Sequence, residues 1–97
     1  MILGTIIFNE KSKAWVNDRE YNATFLRSQE QYLNAIIMNK GYLYLNEIYE
    51  KLCVKWDPED ENLCIIRNNP DQIVTIEFEL FPRPTENTFL IALHYCD

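Results

Sequence analysis

Ninety-seven residues with 47% hydrophobic and 13% aromatic content make one domain (residues 1–97) that folds on its own, not two domains and not a disordered tail. Fifteen acidic against nine basic residues give a net charge of −6, with Lys and Arg scattered along the chain. That balance excludes direct DNA or RNA binding, which needs a concentrated positive face to neutralise phosphates, and no segment reaches the roughly 18–20 apolar residues of a membrane span.

The first predicted element is a strand at 2–8 (ILGTIIF), rich in β-branched residues and lacking the basic region and cleavage site of a signal peptide. A second strand at 13–17 (KAWVN) follows a polar connection and completes an N-terminal hairpin. Residues 18–27 read as a connection with extended character. At Ser28 the period changes: Ser28 with Gln31 three residues on makes a capping-box pattern. Leu33, Ile36 and Ile37 follow at helical spacing, and Gly41 is placed to stop the helix in a left-handed conformation.

A second helical segment covers 42–53, with Leu45, Ile48, Tyr49 and Leu52 on one face. Two starts fit it: Asn46 as cap, or Tyr44 as cap with Glu47 three residues later. From Leu63 the pattern becomes β. "LCIIR" runs into the turn cluster "NNPDQ"; "IVTIEFEL" alternates Val74, Ile76, Phe78 and Leu80 against Thr75, Glu77 and Glu79; and "TFLIALHY" follows a Pro-containing turn. These elements predict an α+β domain: an antiparallel sheet made of the N-terminal hairpin and a C-terminal three-stranded meander, with two helices packed on one face.

Candidate chemistry is sparse. "WDPEDEN" puts Asp57, Glu59, Asp60 and Glu61 directly behind Trp56. As a calcium loop it fails where an EF-hand needs Gly and Glu, because Asn62 and Asn68 stand there. Cys53, Cys64 and Cys96 lack the paired spacing of a metal ribbon and are expected as reduced thiols. His94 and Cys96 share a strand face but start roughly 7 Å apart, too far for a thiol–imidazole pair without movement. Glu77 and Glu79 share a face as a carboxylate pair would, and also as the wet side of a sheet does. No phosphate loop, nucleotide-binding glycine pattern or serine elbow occurs. No enzyme, cofactor or metal is therefore expected.

What remains is surface. Trp15, Trp56, Tyr42, Tyr44, Tyr49 and Phe81 are either core or interface anchors. An acidic, aromatic-rich surface suits a basic protein partner, where complementary potential speeds association. The binding residues expected on these grounds are Trp56, Asp57, Glu59, Asp60, Glu61, Glu77 and Glu79.

Over about residues 30–80 the chain resembles a group of small proteins of unassigned function from phages and prophages of Firmicutes. The matching pieces are Gly41, Leu45-Asn46-Glu47-Ile48-Tyr49, Leu52, Trp56 and Ile76-Glu77-Phe78. The sequence departs from the group at Tyr44, where Ser or Thr is frequent, and at Cys53, where Gly is frequent. The resemblance implies a mobile-element origin and a bacterial cytoplasmic setting, and carries no catalytic residues with it. Two functions are expected from residues and resemblance together. One is an inhibitor of a host antiphage defence complex, of the anti-CRISPR kind, that occupies the nucleic-acid channel of a CRISPR-associated nuclease or another nucleic-acid-binding host protein. The other is a phage structural or assembly protein, a homo-oligomer whose "TIEFEL" and "TFLIALHY" strands offer an edge between subunits.

Overall fold

The computed structural model describes residues 2–56, 62–69, 71–83 and 87–96. The domain is α+β, with β1 (Ile2–Phe8), α1 (Arg19–Lys40), β2 (Tyr42–Tyr44), α2 (Leu45–Lys51), β3 (Cys64–Ile66), β4 (Thr75–Arg83) and β5 (Thr88–Cys96). The strands form two antiparallel sheets, one ordered β1-β5-β4 and a smaller one pairing β2 with β3.

The pairing corrects two expectations. β1 takes no partner from 13–17 and runs antiparallel to β5 instead, from Gly4 opposite Leu93 to Phe8 opposite Phe89. The reason lies in Asn22, a fully buried amide. Its Oδ1 accepts from Val16 N at 3.0 Å and its Nδ2 donates to Val16 O at 2.7 Å, so the peptide groups a strand would offer at Val16 are already used. The Asn22 amide also donates to Asn87 O, which accepts from the Trp15 indole as well, at 3.1 and 3.0 Å. Residues 12–17 are thereby tied to the β4–β5 turn. The second correction concerns the meander. β4 and β5 form the predicted hairpin, but β3 leaves the main sheet and pairs with β2, Leu43 opposite Ile65.

α1 begins at Arg19, well before Ser28. Asp18 is its N-cap, accepting from Tyr21 N at 3.2 Å, and Glu20 lies in the first turn where the helix dipole favours an anion. Residues 18–27 are thus helix and cap rather than extended connection. Its end falls where expected: Gly41 has φ +86° and donates to Ile37 O at 2.8 Å. The Tyr44 alternative holds for α2, since the Glu47 carboxylate accepts from Tyr44 N at 2.8 Å. Past its other end, Cys53 is left-handed at φ +55°; Cys53 N donates to Glu50 O and Val54 N to Tyr49 O, a Schellman closure that favours glycine.

One core joins all layers. Ile6 and Phe8 of β1, Ile76 and Phe78 of β4, and Phe89, Ile91 and Leu93 of β5 meet Leu26, Leu33 and Ile37 of α1 and Ile48 of α2. Phe8 stacks on Phe25 of α1 with ring centroids 5.7 Å apart, which fixes the helix on the side of the sheet bearing the even-numbered β1 residues.

Candidate protein-binding surfaces

The alternation that sends those side chains inward sends the others to the opposite face. Register places Ile7, Leu90 and Phe81 in one row across β1, β5 and β4, with Thr5, Ala92 and Glu79 in the next, then His94 beside Glu77. Ile7 is 50% and Phe81 45% exposed, and Glu77, Glu79 and Thr5 face solvent. The open face is therefore an apolar strip with an acidic border on β4.

The polar side of that border is internally paired. His94 Nε2 lies 3.0 Å from Glu79 Oε1, and the Cys96 thiol donates to Glu77 Oε2 at 3.6 Å. These four residues and Arg27 line a shallow depression of about 460 Å³. The lone imidazole thus meets a carboxylate, not the nearby thiol. Cys53, just past α2, and Cys64, on β3, are exposed. Among the described residues no group of three His, Cys, Asp or Glu side chains is arranged to hold a metal.

The remaining predicted site residues fall elsewhere. Trp56 is half-buried, and its indole N–H is buried with no acceptor among the described residues. Asp57, Glu59, Asp60 and Glu61 lie outside the described residues. Of the expected binding set, the structure brings together Glu77 and Glu79 on the open face. Exposure of the aromatics is also resolved. Trp15 and Tyr49 pack against the core, whereas Phe81, Tyr42 and Tyr44 are exposed. Tyr42 and Tyr44 meet edge to face at 5.9 Å on the outer face of the β2–β3 ribbon, beside Ile66 and Cys64, with Lys40 Nζ 5.5 Å from the Tyr42 ring centre.

Sequence reasoning missed the polar stripe of α1. The outward peptide groups of β4 are met by its side chains: Asn34 donates to Ile76 O at 3.0 Å and accepts from Ile76 N at 2.8 Å. Glu30 accepts from Phe78 N at 2.6 Å, and Arg27 donates to Phe78 O at 2.8 Å while pairing with Glu30 at 3.1 Å. Three side chains stand in for a neighbouring strand. The "TIEFEL" edge is consequently covered at these positions, and "TFLIALHY" is a central strand with no edge at all. The signal was present, since 27, 30 and 34 are spaced i, i+3, i+7, but the same spacing also describes a solvated helix face.

Among the described residues no helix is long and apolar enough to cross a membrane. Comparison of the chain with models of known families, with curated proteins and with solved structures finds no match.

Proposed function

We propose that this chain is an acidic protein-binding module whose contact surface is the open face of the β1-β5-β4 sheet. The observation that carries the reading is the row of exposed Ile7, half-buried Leu90 and exposed Phe81, bordered by Glu77 and Glu79. An apolar centre supplies the burial that holds a complex, and a charged border selects a partner and speeds its approach. With a net charge of −6, the partner that suits this face is a basic surface built for nucleic acid.

The finer reading follows from the resemblance to phage and prophage proteins: an inhibitor that blocks the nucleic-acid channel of a host antiphage defence complex. The experiment is a pull-down of a CRISPR-associated nuclease with and without guide RNA, at low and high salt. Binding is expected to weaken with salt and with guide RNA, and to fall about tenfold or more in the Glu77→Lys/Glu79→Lys variant. Salt-insensitive capture, or none, overturns the nucleic-acid-channel reading; capture that ignores Phe81→Ser and both charge reversals overturns the surface itself.

A further inference from the structure

Backbone geometry assigns a second, separate recognition element at the outer edge of β1. Because Ile76 and Phe78 turn their peptide groups toward α1, the odd-numbered residues of β4 are the ones bonded to β5. Antiparallel alternation then gives β5 residues 90, 92 and 94 to β4, and 89, 91 and 93 to β1. Their β1 partners are Phe8, Ile6 and Gly4, so Thr5 and Ile7 direct N–H and C=O away from the sheet. Among the described residues no protein group meets them there.

The bare edge opens into a groove of about 620 Å³ lined by Thr5 and Ile7 on one side and by Ser12, Val54 and the exposed Lys11 and Lys55 on the other. Neither lysine has a carboxylate within ion-pairing distance among the described residues. Two lysines with no ion-pair partner among the described residues thus stand beside a strand edge that has none either. We propose that this groove binds an extended segment of a partner protein, one with alternating apolar and acidic residues, by adding it as a fourth strand beside β1. Main-chain hydrogen bonds to Thr5 and Ile7 supply the attachment. Apolar side chains beside Ile7 lengthen the row of Ile7, Leu90 and Phe81, and carboxylates meet Lys11 and Lys55. A second copy of β1 fits the edge less well, since "ILGTIIF" carries no acidic residue for the lysines and two chains of −6 repel.

The test uses the whole chain and a fluorescein-labelled peptide GSEVEVEVSG, read by fluorescence anisotropy and by amide exchange in NMR spectra. Expected are binding to monomeric protein, slowed exchange at the Thr5 and Ile7 amides, and about tenfold or greater weakening by Lys11→Glu/Lys55→Glu or by the lysine peptide GSKVKVKVSG. A peptide N-methylated at every residue from the first Glu to the last Val is expected not to bind, because it has no N–H left to continue the ladder. The proposal is overturned if the acidic peptide does not bind, if both peptides bind equally, or if Thr5 and Ile7 remain unprotected in the complex. It is equally overturned if those amides are already protected in a self-associated protein, which would make a second copy the occupant. The binding is expected to persist in the Glu77→Lys/Glu79→Lys variant, which separates it from the open-face reading.

Discussion

At β4 the outward peptide groups of Ile76 and Phe78 are met by Asn34, Glu30 and Arg27 of α1. At β1 those of Thr5 and Ile7 meet nothing among the described residues. The strands differ little in β-forming character; the difference is in what lies beside them. α1 crosses the core with Leu26, Leu33 and Ile37 inward, and its adjacent stripe of 27, 30 and 34 reaches the β4 edge. A single helix thus fills the core and covers one edge at Ile76 and Phe78, because residues three and four apart lie on neighbouring lines of its surface. Exposed strand edges invite pairing with other chains. The closure lifts that liability from β4 at Ile76 and Phe78 and leaves it at Thr5 and Ile7 of β1, beside Lys11 and Lys55.

Removing the closure at its strongest point is the sharpest way to break this contrast. Asn34→Leu strips both partners from the part-buried Ile76 peptide groups, and is expected to destabilise the domain by about 3 kcal/mol in urea unfolding. The same variant should self-associate with rising concentration in sedimentation velocity, since β4 then offers an edge of its own. Glu30→Ala removes one acceptor from Phe78 N and the charge paired with Arg27, with an expected loss of about 2 kcal/mol by the same measurement. At β1 the effect should nearly vanish. Thr5→Lys places an exposed side chain beside an edge with no intramolecular partner, and stability is expected to change by less than about 0.5 kcal/mol. An equal response at 5 and 34 would mean that the two edges are closed alike.

These effects also mark how much was legible beforehand. The end of α1 at Gly41 was, because a glycine after helical spacing is a local stop signal that reaches only a turn or so back. So was the alternation through Val74, Ile76, Phe78 and Leu80, which is period two and needs no partner to be seen. The start of α1 was hidden by competition: Ser28 with Gln31 imitates a cap, whereas Asp18 holds the real one while Asn22 and Leu26 already lie inward. The strand at 13–17 failed because its backbone groups at Val16 are claimed by Asn22, a contact that no propensity encodes. Of the site, Glu77 and Glu79 were recognisable as one exposed face. Their neighbours Ile7 and Leu90 were not, since they come from strands some 70 or more positions apart or are joined only through the register of β1 with β5.

Composition and local pattern alone determined the α+β class, the excess of negative charge, the helix stop at Gly41 and the inward and outward sides of β4. Each of these depends on interactions within a few residues or on no geometry at all. Tertiary structure alone decided that β1 pairs with β5 and β3 with β2, that Trp15 is held by a turn while Phe81 is exposed, and that α1 covers the β4 edge at Ile76 and Phe78 while Thr5 and Ile7 of β1 have no such partner among the described residues. The cause is that strand pairing and edge closure are contests among groups far apart in the chain, settled by which arrangement buries the shared core and leaves the fewest peptide groups without a partner.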